Sequence, residues 1–122
     1  MTWRYDQSSG DIEHDGEFVG TGYSGAGRLL NEGRNNPAME HLKAQGPIPA
    51  GKWSIGGART SAKTGPVCMD LTPVGHDAHG RSAFQIHGNN KADNASTGCI
   101  ILARGIREQI DASADRDLEV VP

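Results

Sequence analysis

Phe84-Gln85-Ile86-His87-Gly88, then a polar loop, then Ser96-Thr97-Gly98-Cys99-Ile100: within this stretch the chain twice places a reactive side chain at the end of an apolar run. Residues 83–87 read as a short strand closed by His87. After a turn of small residues the chain becomes apolar again from Cys99 through Ile100-Ile101-Leu102. Side chains at element ends can converge on a cleft while the scaffold beneath them stays rigid.

The segments on either side are short and rich in turn signals. Upstream, residues 67–74 read as a strand, separated from 83–87 by the polar turn Gly75-His76-Asp77-Ala78-His79-Gly80. Before it, Gly46-Pro47-Ile48-Pro49-Ala50-Gly51 is a rigid entry to the strand Lys52-Trp53-Ser54-Ile55, which puts Trp53 and Ile55 on one face. Residues 38–44 predict two turns of helix opened by Pro37. The N-terminal residues 2–7, 11–14 and 17–23 form a meander turned at Asp15-Gly16, and an irregular passage through residues 23–27 and 31–37 follows it. Downstream, Ile106 and Ile110 stand at helical spacing, and residues 118–121 read as a closing strand. With 17 glycines among 122 residues, the whole is a mainly β, β-rich α+β fold in a single domain spanning residues 1–122.

Composition narrows the function. The chain is 35% hydrophobic and 22% charged, within the globular range. Its net charge is −3 and its basic residues are scattered, which argues against nucleic acid as a partner. No apolar stretch approaches the roughly 20 residues of a membrane span, so no membrane insertion is expected. The first ten residues have no apolar core and no small-residue cleavage site, so the chain is expected to be made in the cytoplasm without a signal peptide, or to be trimmed. Two cysteines, Cys68 and Cys99, are too few for a disulfide framework. Alternation along residues 67–71 sets Cys68 apart as a structural thiol, with a bridge to Cys99 left open. His76 and His79 have an H-x-x-H spacing but no third ligand, and neither a metal nor a cofactor is expected.

A cysteine near its reference pKa is only a few per cent thiolate at neutral pH, and an imidazole beside it can take the proton and leave a standing ion pair. Gly98 lets the backbone turn tightly, so that amide N–H groups around Cys99 can face the oxygen of a carbonyl under attack. On residue chemistry alone, a Cys such as Cys99 beside apolar residues is more often an inert core thiol than a nucleophile, and a strand-end His such as His87 is usually a surface or hydrogen-bonded one.

Ile86-His87-Gly88 followed by Ser96-Thr97-Gly98-Cys99 resembles the signature of the L,D-transpeptidases, an apolar-His-Gly strand end and a Ser-x-Gly-Cys turn. Gly46-Pro47-Ile48-Pro49-Ala50-Gly51-Lys52-Trp53 is similar to that family's entry to a core strand. Gly22-Tyr23-Ser24-Gly25 with Asn36-Pro37 resembles a smaller, toxin-like branch delivered by type VI secretion into the periplasm of rival bacteria. The resemblance covers roughly residues 3 to 102 and implies a β-sandwich with one or two short helices. It further implies a thioacyl-enzyme formed at the L-centre of diaminopimelate in peptidoglycan stem peptides, with loss of D-Ala. Cys99 is then the nucleophile, His87 the base and the Gly98-Cys99 backbone the oxyanion donor. A monomer that meets a cognate immunity protein in its producer is expected.

Two positions depart from the commonest family form, which has His immediately before Gly-Cys and Arg two residues after the Cys. Here they are Thr97 and Ile101, which favours trimming of tetrapeptides or D-amino-acid exchange over cross-linking. Ser96, Thr97, Arg81 and Tyr23 are the substrate-binding candidates: Arg81 through its planar fork on a carboxylate, Ser96 through a bond to His87 or substrate, Tyr23 as a cleft wall. Against these stand a solvated Arg81, a turn-forming Ser96 and a core Tyr23. A wall-binding module of the same fold without activity is the main alternative. A papain-like peptidase is disfavoured because there the Cys precedes the His.

Overall fold

Ten strands and one α-helix form the regular structure of residues 2–27 and 32–122, the residues that this computed structural model describes. Asn31, part of the irregular passage expected from the sequence, lies outside them. The N-terminal meander forms as anticipated: β1 (Trp3–Asp6), β2 (Asp11–His14) and β3 (Glu17–Thr21) are successive antiparallel neighbours. The turn at Asp15-Gly16 has both residues at positive φ, 51° and 84°, the geometry its sequence favours. The closing strand β10 (Asp117–Val121) runs parallel to β1, with Trp3 level with Leu118 and Tyr5 level with Val120. On its other side β10 pairs with β5 (Gly51–Ile55).

From β5 the hydrogen-bonded path continues through β7 (Gly65–Val74), β8 (Gln85–His87) and β9 (Ile100–Ile101) to β4 (Tyr23–Ser24). The expected mainly β fold is present, with its strands on one mixed sheet. Its pivot is β7, ten residues long and shared along its length: Gly65 and Cys68 pair with β6 (Arg59–Ser61), Met69 and Asp70 with β8, and residues 71–74 with β5. Val67, at φ 57°, interrupts its regular pleat. The strand β6 was not foreseen, because Arg59 and Thr60 are both exposed and no alternation marks it.

The core gathers Trp3, Tyr5, Ile12, Ile48, Trp53 and Met69 with Ile86, Ile100, Leu102, Ile110 and Leu118, all at most 2% exposed. Each such side chain contributes about 1.5–3 kcal/mol through burial. The helix α1 (Arg104–Ala112) buries Ile110 and Arg107 and packs on β7. The two helical turns expected over residues 38–44 shrink to a single 3-10 turn, Pro37–Met39, capped by the Asn36 side chain on the Ala38 N–H. Tertiary contacts override the local preference here. The Glu40 carbonyl accepts from the Arg81 guanidinium, while the Glu40 carboxylate accepts from Gln7 Nε2 and the Ala50 N–H, and Ala44 turns left-handed at φ 62°.

Candidate active-site cleft

The parallel register of β8 and β9 builds the site. Ile86 lies level with Ile100 and both point into the core, so Cys99, one residue before β9, falls level with Gln85. Cys99 and His87 line one cleft of about 340 Å³, together with Gly98, Thr97, Arg81, Ala83, Phe84 and Gln85. Lys43, Ser61, Lys63 and Thr64 also contribute to its wall.

His87 is 4% exposed, and its Nδ1 lies 2.9 Å from the Gly88 carbonyl oxygen. A carbonyl can only accept, so Nδ1 carries the proton of the neutral ring and Nε2 presents a lone pair. Gly88 is also where the Arg107 guanidinium passes closest: a Cβ there would meet Nη2 at 2.7 Å. Arg107 is held in place by the Leu102, Pro66 and Val67 carbonyls. Burial, and after it the Arg107 charge, lower the His87 pKa from its ordinary value, while the Gly88 bond raises it in part.

The Cys99 thiol donates to the Ala83 carbonyl oxygen at 3.7 Å. Ala83 stands at φ 64°, a left-handed conformation costly for alanine. Burial raises the Cys99 pKa, opposed in part by the Gln85 backbone N–H and by the charges of Lys63 and Arg81. Burial thus works against the charged form of both groups, opposing the thiolate–imidazolium pair expected from the sequence.

The turn that carries Cys99 is held by its carbonyls. That of Thr97 accepts from Arg81 Nη2 at 3.2 Å, that of Gly98 from Ser24 Oγ at 3.0 Å, and that of Cys99 from Ser96 Oγ at 2.6 Å. Gly98, at φ 146°, has no room for a side chain: a Cβ would lie 2.5 Å from Arg81 Nη2 and 3.2 Å from the Phe84 ring. The Gly98 N–H turns inward to Ser96 Oγ at 3.1 Å, which removes it from the expected oxyanion pair and leaves the Cys99 N–H as the candidate donor.

Ser96 is 2% exposed and bonds neither His87 nor the cleft; its Oγ also accepts from the Gly25 N–H at 2.9 Å. Ser96→Ala would leave two buried N–H groups unpaired and should cost about 2–3 kcal/mol in denaturant unfolding. A loss below about 0.5 kcal/mol would mean that the turn is held by other contacts.

Arg81 lines the cleft but is neither solvated nor free for a substrate carboxylate. It is 9% exposed and donates to the carbonyls of Glu40, Pro47, Gly46 and Thr97, with burial lowering its pKa. Tyr23 stands outside the cleft: its hydroxyl donates to Asn89 Oδ1 at 2.6 Å and accepts from the Ala95 N–H, anchoring the loop between His87 and Cys99. Thr97 is exposed within the cleft. Ser24 and the Gln85 backbone were missed by the sequence reading, since nothing local to either position signals a partner so distant in the chain.

His76 bonds the Lys52 carbonyl and the Ala78 N–H through its two ring nitrogens, and His79 pairs with Glu40, so these histidines serve turns. Among the described residues, His14, Asp15 and Asp115 bring ligand-type atoms within 4.8 Å of one another, but none of them lines the cleft, and His14 and Asp115 pair at 2.9 Å. Cys68 is fully buried beside Thr64, and both cysteines are free thiols.

Fold and cleft together define a small β-rich domain that presents one thiol and one imidazole to a shared, solvent-open site. The chain belongs to the Tlde1 domain family, which it matches over residues 19–120, a family of type VI secretion effectors. The matched span includes His87, Cys99 and every residue named in the cleft wall. No curated protein matches the chain. Among the described residues no helix is long and apolar enough to cross a membrane.

Proposed function

We propose that the cleft is the active site of a peptidoglycan-directed cysteine acyltransferase or hydrolase that acts on stem tetrapeptides in the periplasm of a target bacterium. The observation that carries this reading is the shared cleft of Cys99 and His87, with Nδ1 of His87 tied to the Gly88 carbonyl so that Nε2 is the free base. Membership of a secretion-effector family supports delivery to a rival cell and a cognate immunity protein in the producer.

In the reaction, the thiol proton leaves the Ala83 carbonyl and passes to His87 Nε2 as sulfur attacks the carbonyl carbon of the diaminopimelate L-centre. The Cys99 N–H faces the developing oxyanion. The imidazolium returns its proton to the departing D-Ala nitrogen, which breaks the amide and leaves a thioester on Cys99. Water attacking the thioester, with His87 again taking the proton, releases a tripeptide carboxylate and restores the thiol. A D-amino-acid amine attacking in its place gives the exchanged tetrapeptide.

Mass spectrometry of muropeptides incubated with the protein tests this directly. Release of D-Ala is expected, reduced about 10²- to 10⁴-fold in His87→Ala. Because the His87 pKa is lowered, the neutral base persists into more acidic solution. The acid limb of kcat/KM should therefore lie below the ordinary imidazole value of about 6.5. If purified protein leaves tetrapeptides unchanged yet binds sacculi, and an electrophile fails to label Cys99, the domain is a wall-binding module instead.

A further inference from the structure

The cleft is lined by Lys43, Lys63 and Arg81 and by no aspartate or glutamate, in a chain whose acidic residues outnumber its basic ones 15 to 12. Arg81 is fully engaged by four backbone carbonyls. The two lysines differ: both are exposed, and among the described residues neither is in an ion pair. They reach the cleft from separate parts of the chain, each on a short, internally bonded turn. Lys43 lies in the turns after Met39, closed by the Gln45 N–H on the Leu42 carbonyl, and Lys63 lies between β6 and β7, where Ser61 Oγ accepts from the Lys63 and Thr64 N–H groups.

We propose that Lys43 and Lys63 are the residues by which this cleft selects an anionic substrate, with Lys63 taking the carboxylate next to the bond that breaks. The inference rests on the acyl-transfer reading for its chemistry, and it supplies the cationic grip that Ile101 cannot provide where the commonest L,D-transpeptidase form has arginine. Lys63 is assigned the nearer carboxylate because its neighbour Thr64 bonds Gln85 Oε1, and Gln85 lies level with Cys99 in the register of β8 and β9. The D-Ala carboxylate of a tetrapeptide lies two bonds from the scissile nitrogen, and the free carboxylate at the D-centre of diaminopimelate, further along the acyl side, is assigned to Lys43. Two ammonium groups in a cleft lined by no carboxylate favour such a ligand over its amide and raise its encounter rate.

Two experiments separate this proposal from the reading beneath it. The first alkylates Cys99 with iodoacetate and with iodoacetamide and follows the Cys99 peptide by mass spectrometry; Cys68 is fully buried. The ratio of the two rates cancels any change in thiolate fraction. It should fall about 3- to 10-fold in Lys43→Gln/Lys63→Gln, and the preference in wild type should collapse at about 1 M salt. A ratio unchanged by both substitutions and by salt would overturn the proposal. In the second, Lys63→Gln should raise KM about 10-fold for a D-Ala-terminated tetrapeptide with kcat within about twofold, while amidating that terminal carboxylate penalises wild type but not the variant. Equal penalties in both proteins would remove the assignment to Lys63. Loss of all tetrapeptide turnover with the iodoacetate preference intact would overturn the acyl-transfer reading and leave the anion site standing.

Discussion

Cys99→Ala should abolish release of D-Ala from tetrapeptide muropeptides, a loss of at least about 10⁴-fold, while the melting temperature moves by no more than about 3 °C. The two halves of this expectation have different origins. Without sulfur there is nothing to form the thioester, and His87 has no proton to accept. Stability is spared because the thiol contributes so little to the turn. Its hydrogen bonds are the long contact with the Ala83 carbonyl and the one from the Gln85 backbone N–H, whereas the supports of residues 97–99 act on backbone atoms that alanine retains. Turnover by purified, folded Cys99→Ala protein would sink the nucleophile assignment outright.

Arg81→Leu should cost on the order of 4 kcal/mol of unfolding free energy, a large share of the 5–15 kcal/mol that holds a typical domain together. The substitution removes a charged donor from four buried or half-buried carbonyls, and leucine offers none of them a partner. Arg81→Lys should recover only part of the loss, since a single ammonium cannot match the planar fork that spans Glu40, Gly46, Pro47 and Thr97. Activity should fall with stability, because the Thr97 carbonyl is one of the three ties on the nucleophile's turn. Chemical denaturation followed beside KM distinguishes the roles: a raised KM with unchanged stability would return Arg81 to the substrate.

The positions of His87 and Cys99 at the ends of apolar runs were legible in the sequence, where periodicity shows the element and the break in it shows the end, whereas their reading as a catalytic pair came from the family resemblance. The meander, the strand through Trp53 and Ile55, the helix carrying Ile106 and Ile110, and the closing strand were legible for the same reason. What escaped depends on contacts distant in sequence. The helix expected over residues 38–44 was lost to Arg81, which takes the Glu40 carbonyl. The burial that works against charge on both Cys99 and His87 could not be read from residue types, since it is set by the packing around them. Ser96 was read as a contact for His87 or substrate, or as a turn former. Its part as the knot of the turn emerged only with the Gly25 N–H, 71 residues away, in place.

The ties on residues 97–99 also bear on the order of folding. Ser24 reaches Gly98 across 74 residues of chain and Arg81 reaches Thr97 across 16, so no local segment can assemble the nucleophile's turn by itself. Loop closures of that span come late, once the strands that bear them have docked. A nascent or partly opened chain therefore carries Cys99 without the geometry around it. The Gly98 amide should exchange its hydrogen only through global unfolding, at the pace of the slowest core strands, whereas the amides of the exposed loop at Asn89 and Asn90 exchange through local opening.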